Sequence, residues 1–162
     1  MFKYSLIFLL FLLLNSCVQD VGIPRGELAP EIELTDLEGL SQSLAKHKGK
    51  VVMLYFWAAS CPTCKKEFPE TEKYYKKLKG ENFELLAINV GKEKQEESSK
   101  KYKEDFEISF PMLNDVDGKY TEMYAVEALP TNYFINPEGK VIRRILGWVD
   151  ENQVQVMINQ NL

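Results

Sequence analysis

The sequence predicts a single α/β domain: a central sheet of mixed strand direction, flanked by helices. Three observations carry this. Two continuous apolar runs, KVVMLYFWA (50–58) and FELLAINV (83–90), have the length and β-branched content of strands buried on both faces. Charged segments with helical spacing lie between and after them, so strands and helices alternate as in parallel α/β units. The chain then closes on PTNYFINPEGKVIRRILGW, two strand-like runs joined across NPEG. That turn makes the last pair antiparallel and the sheet mixed.

The elements follow in chain order. PEIELTDLEGL alternates Ile32 and Leu34 with polar residues and turns at Glu38-Gly39, predicting a short N-terminal β-hairpin. After the first buried strand, a helix is expected from about Pro62 to Leu78, then the second strand. KEKQEESSKKYKEDF (92–106) reads as a polar helical insertion whose apolar anchors are Tyr102 and Phe106. Its charges read as a solvated face without function. SFPMLND predicts a short strand, and GKYTEMYAV a helix with Tyr120, Met123 and Tyr124 on one face. DENQVQVMINQ predicts a closing helix capped by Asp150, with Val154, Met157 and Ile158 inward.

Composition narrows the function classes. At 162 residues the chain suits one domain with a sizeable core. A net charge of −4 and a pI near 5.2 argue against a nucleic-acid partner, which calls for a basic footprint. One histidine, His47, and three cysteines leave little for a metal site, so neither metal nor cofactor is expected.

The first residues, MFKYSLIFLLFLLLNSC, carry one early positive charge, an apolar run from Tyr4 to Leu14, and a small polar end. A helix needs roughly 20 apolar residues to span about 30 Å of hydrocarbon, so this run is too short. It has the proportions of a signal peptide. The expected division is a signal peptide over 1–16, a tether over 17–27 and the domain over 28–162. Removal of 1–16 takes away Lys3 and no acid, moving the charge from −4 to −5.

Cys61 and Cys64 sit in CPTC, where the apolar strand gives way to the charged helix. Structural zinc wants four ligands, commonly two such pairs, and there is no second pair. A c-type haem site wants histidine after the second cysteine, and Lys65 stands there. A purely structural disulfide across two residues closes almost no loop and stabilises little. A working redox pair fits best, with a static disulfide as the bland alternative. Cys61 falls at the start of the helix, where unpaired N–H groups and the dipole stabilise a thiolate. Pro62 suits the first helical position. Cys61 is then the exposed nucleophile and Cys64 the resolving thiol.

At about 100° per residue, Phe68, Thr71, Tyr74, Tyr75 and Leu78 share one arc with Cys64. Glu67 is the only acid in that arc; Glu72 and the lysines fall on the rest of the circle. A carboxylate there is costly unless used, and burial should raise its pKa. It stands one turn from Cys64, within reach of its proton directly or through water; the bland alternative is a carboxylate whose head reaches solvent or a lysine at the edge of the face. Pro69 should kink this helix, and Trp57 reads as packing beside the site.

These residues together resemble the thioredoxin superfamily, and within it the TlpA/ResA-like membrane-tethered thiol–disulfide oxidoreductases. The resemblance rests on APEIELTDLEG, KGKVVMLYFWAASCPTCKKEFPE, LLAINVG and ALPTNYFINPEGKVI, and covers the chain from about Ile23. LNSC similarly resembles a bacterial lipobox, which would make Cys17 a lipid attachment site. The resemblance implies a thioredoxin-like fold with the hairpin and central insertion. It implies that Pro130 is a cis-proline facing the disulfide and that Leu129 pairs with the substrate backbone. It implies that Glu67 is an active-site acid. The partners implied are a disulfide-containing protein, with apocytochrome c as leading substrate, and a membrane thiol–disulfide electron carrier that re-reduces the domain outside the cytoplasm. The chain departs from the family at Ser60, where tryptophan is usual, and at Lys92, where some cytochrome-maturation members carry a second acid. Two other readings stand beside this one. A thiol peroxidase of the peroxiredoxin type would need a threonine three residues before its cysteine, and Ala58 and Cys61 occupy those positions. The non-enzyme reading is a tethered binding module with a static disulfide.

Overall fold

The computed structural model describes residues 22–162, apart from 81 and 93. The expected signal peptide over 1–16 and Cys17 therefore lie outside the described residues. Among the described residues the strands are β1 (Glu33–Thr35), β2 (Ser41–Ser43), β3 (Val51–Trp57), β4 (Phe83–Asn89), β5 (Met112–Asn114), β6 (Thr131–Ile135) and β7 (Val141–Leu146). The helices are α1 (Pro62–Leu78), α2 (Gln95–Asp105), α3 (Lys119–Met123) and α4 (Glu151–Gln160). β1 and β2 form the expected hairpin. The other five strands form one sheet in the order β5-β4-β3-β6-β7. β3 runs parallel to β4 and antiparallel to β6, and β6 runs antiparallel to β7, so the direction is mixed as the sequence implies.

β3 is buried at every position, and its two-residue period divides the core. Val51, Met53, Tyr55 and Trp57 enter one hydrophobic cluster with Phe68 of α1, Phe110 and Val154 of α4. Val52, Leu54 and Phe56 enter the other with Tyr120, Tyr124 and Tyr133. The continuous apolar run is therefore a consequence of covering both faces of the sheet. α1 runs unbroken through Pro69. α4 begins with a full capping box, Asp150 accepting from Gln153 N–H and the Gln153 side chain from Asp150 N–H.

Four details differ from expectation. Met123 is 41% exposed and does not share the buried face of Tyr120 and Tyr124, so this one-turn helix buries a narrower face than its pattern implies. Glu72 is buried, not on the solvent side of α1: it accepts from Ser109 N and Ser109 Oγ at 2.8 and 2.7 Å, and Lys76 lies 3.1 Å away. The insertion helix starts at Gln95, after a left-handed Lys94, and it buries Gln95 and Ser99 as well as Tyr102. Finally, residues 22–27, which composition assigns to the tether, lie along the edge of β7. Gly26 N donates to Val141 O and Val141 N to Glu27 O, at 2.8 and 2.9 Å, and Ile23 packs on the second cluster. Gly22 permits this approach: with φ +137°, a Cβ there would stand 2.6 Å from the Tyr133 hydroxyl.

Candidate active site

β3 ends at Trp57 and a short turn delivers Cys61 to the N-cap of α1. Its backbone is extended there (φ −92°, ψ 105°), and Pro62 occupies the first helical turn. Cys61 N donates to Ala58 O at 3.0 Å, and Cys61 Sγ accepts from Cys64 N–H at 3.1 Å. The sulfur thus takes the place of an N-capping oxygen, satisfying one donor of the first turn. No acidic side chain stands in that turn to oppose negative charge on sulfur. Cys61 and Cys64 form a disulfide with S–S 2.12 Å and Cα–Cα 5.3 Å. Cys64 is fully buried and Cys61 is 8% exposed, so the nucleophile assigned from sequence is the more accessible thiol, though less open than expected. Its neighbours Ala59, Ser60, Pro62 and Thr63 are all exposed.

The Leu129–Pro130 peptide is cis. Leu129 shares a cleft with Cys61, Pro62, Thr63 and Lys92, which brings the two sequence-distant site segments together. β3 and β6 are neighbours, and the turns after one and before the other meet at the same end of the sheet. Thr131 Oγ1 donates to Ala128 O at 2.6 Å and Gly147 N to Pro130 O at 2.8 Å, holding the loop from both sides.

Glu67 is buried on the same face of α1 as Cys64. Tyr55 Oη donates to Glu67 Oε2 at 3.3 Å, while Oε1 is buried with no partner. Desolvation raises the carboxyl pKa to about 7, and the Tyr55 hydrogen bond pulls the other way. Burial and the facing carboxylate push the Tyr55 hydroxyl well above its ordinary range, so it remains a donor. The arrangement supplies a group titrating near neutrality beside the buried cysteine. Trp57 packs edge-on against Phe68 at 4.9 Å between ring centroids and tilted against Tyr102 at 5.0 Å.

Sequence reasoning assigned no site role to three supporting residues, although it placed Tyr102 as an anchor of the insertion. Tyr55 is one apolar-run residue among many until α1 places Glu67 opposite it. Tyr102 donates from its hydroxyl to Ala59 O at 3.1 Å, tying the polar insertion to the cysteine turn. Asn89 at the end of β4 donates to Gln95 O, Ser98 Oγ and Ser99 Oγ, and accepts from Gly91 N. A polar residue closing an apolar strand was the available signal for Asn89. Among the described residues no group of three or more His, Cys, Asp or Glu could hold a metal, and His47 is engaged with Gln42 Oε1 at 3.1 Å. No helix among them is long and apolar enough to cross a membrane.

Residues 25–144 match the model of the AhpC/TSA family. The chain is 36% identical over 138 residues to the thiol-disulfide oxidoreductase ResA of Bacillus subtilis (strain 168), covering 85% of this chain and 76% of that one. The fold is similar to a thiol:disulfide interchange protein DsbE from Chlorobium tepidum, with TM-score 0.76 and 26% identity over 86% of this chain and 98% of that one. It is also similar to the exposed lipoprotein thioredoxin of Streptococcus pneumoniae strain TIGR4, with TM-score 0.68 and 29% identity over 81% and 99% of the two chains.

Proposed function

Since the chain belongs to the AhpC/TSA family and is a thiol–disulfide oxidoreductase with a thioredoxin-like fold, we propose that it reduces protein disulfides outside the cytoplasm from a lipid anchor at Cys17. The observation that carries the reductive chemistry is the Cys61 sulfur at the N-cap of α1, in one cleft with the cis Leu129–Pro130 segment. In the reduced domain the Cys61 thiolate attacks one sulfur of the substrate disulfide. The substrate S–S bond breaks, a mixed disulfide forms on Cys61, and the departing substrate thiolate takes a proton. Glu67 then accepts the Cys64 proton, and the Cys64 thiolate attacks Cys61 Sγ. The second substrate thiolate leaves and takes the proton that Glu67 accepted. With the proton taken by the first thiolate, which replaces the one Cys61 lost to solvent on ionising, two electrons and two protons have passed to the substrate. The domain is left as its Cys61–Cys64 disulfide. A membrane thiol–disulfide carrier restores the dithiol.

Leu129 and Pro130 flank the extended substrate chain, with backbone pairing at Leu129. Apocytochrome c is the leading substrate on the resemblance that the sequence motifs carry. The lipobox-like LNSC and the similarity to a lipoprotein thioredoxin support the anchor, with 1–16 removed. The test is mixed-disulfide trapping. Cys64→Ser should accumulate thiol-blocked, reductant-sensitive adducts on Cys61, whereas Cys61→Ser should not. Equal trapping by both variants would reverse or void the assignment of roles.

A further inference from the structure

The chain has three arginines and seventeen lysines, and the arginines are not scattered. Arg25, Arg143 and Arg144 all line one cleft between the incoming segment and edge strand β7, together with Ile23, Pro24 and Leu146. Among the described residues no acidic side chain lines it, in a protein whose net charge is negative. Arg25 and Arg143 are exposed. Arg144 is oriented: its Nη2 donates to Ala125 O at 3.4 Å and its guanidinium stands over the Tyr133 ring, 6.0 Å from the centroid. Guanidinium groups bind phosphate oxygens through paired, planar hydrogen bonds, which a lysine ammonium cannot reproduce. An arginine-only cleft therefore fits a phosphate better than a diffuse positive surface does.

The position of the cleft says which phosphate. Residues 22–29 run antiparallel to β7, from Gly22 beside Arg144 to the Leu28–Lys140 bridge. Traced back toward residue 22, the chain moves toward Leu146, which pairs with Thr131 immediately after the cis proline. The described chain therefore enters at the end of the sheet that carries the active site. Five peptide steps separate Cys17 from Gly22 and span at most about 18 Å. A lipid on Cys17 would hold this cleft within that distance of the bilayer. Leu146 is 57% exposed at the mouth, and Trp148, two residues on, is 52% exposed. Tryptophan and arginine side chains are both favoured at a membrane–water interface.

We propose that the arginine cleft docks the domain on the membrane by binding the phosphate headgroups of anionic phospholipids. This rests on the lipid-anchor reading for its geometry, and extends it: the anchor sets distance and the cleft sets orientation. β7 lies two strands from β3, about 10 Å, so docking carries the disulfide close to the bilayer surface. The partner disulfides it meets there are membrane-held ones.

The experiment uses the full oxidised chain on phosphatidylcholine vesicles with and without phosphatidylglycerol. Flotation reads attachment, and quenching by brominated lipid, taken as the difference between wild type and Trp148→Phe, reads docking. Each arginine near an anionic surface is worth about a fivefold change in partition. In the unlipidated Cys17→Ser precursor the apolar segment adds the same partition to both vesicle types, so the paired changes Arg25→Gln and Arg143→Gln should lower the ratio of binding with phosphatidylglycerol to binding without it by about 30-fold. In the anchored protein they should abolish the quenching while flotation stays intact. Loss of flotation in the wild type would count against the anchor, yet the Cys17→Ser comparison would still decide the cleft. Flotation without lipid-dependent quenching, or partition indifferent to the arginines, overturns docking. So does arginine-dependent stabilisation by inorganic phosphate with no vesicle binding, which would mark a site for a soluble anion.

Discussion

Glu67 is where burial and chemistry meet most directly. Its carboxyl has one hydrogen bond, from Tyr55, and one oxygen with no partner. Because its folded pKa of about 7 lies above the ordinary glutamate value, the unfolded chain gives up this proton first. Folding is therefore favoured most at low pH, and the contribution is lost as pH rises from about 4.5 through 7. Glu67→Gln should leave stability nearly unchanged at the acid end of that window and raise it above the window by roughly 1–3 kcal/mol, read by urea denaturation of the oxidised protein. In the reduced protein the same substitution should slow resolution by Cys64 by about 10²-fold or more and spare the initial attack by Cys61. Tyr55→Phe supplies the complementary reading. Removing a donor to the carboxylate raises the Glu67 pKa further, so the acid limb of the resolution rate should move up by about one pH unit. Stopped-flow mixing with a model disulfide across pH separates the two steps. Unchanged resolution with lower stability in Glu67→Gln would make Glu67 a packing residue.

Among the elements, α2 changes most on passing from pattern to structure. As a pattern it is a run of charges with two aromatic anchors. In place, it is hydrogen-bonded to the end of β4 through Asn89 and to the cysteine turn through Tyr102. Asn89→Ala removes donors to three acceptors on α2 and leaves Gly91 N without its partner. The expected loss is about 2–3 kcal/mol, as several buried polar groups lose partners at once. Hydrogen exchange should show α2 opening at lower free energy than α1, with the turn around Ala59 following it. Equal protection of α2 in wild type and variant would mean that Tyr102, Phe106 and their aromatic neighbours hold the helix alone. α1 behaves differently: its start, end and apolar face match its periodicity, because one long amphipathic helix on one sheet face is specified locally.

For the molecule as a whole, the mixed sheet gathers function at one end. The cysteine turn follows β3, the cis-proline loop precedes β6, and the chain entering beside β7 arrives at the same end. Membrane attachment should depend on Cys17. Cys17→Ser is expected to leave a heavier, unprocessed precursor, read by mass and by membrane fractionation; identical mass and partition would remove the anchor. Much of this protein follows from local pattern alone. The two-faced burial of β3, the helix from Pro62, the cysteine pair at its N-cap and the place of Glu67 one turn from Cys64 are properties of residues within a few positions of one another. Period, capping and charge burial act at that range, so the sequence by itself determined them. Tertiary structure alone decided what lies across from what. It set Tyr55 against Glu67, turned Glu72 inward to Ser109 over 37 positions, left Met123 exposed between buried Tyr120 and Tyr124, and drew Arg25 to Arg143 and Arg144. Those pairings depend on strand order and on which surfaces the sheet brings into contact. No local period encodes them, since residues far apart in the chain meet only when the whole core has closed.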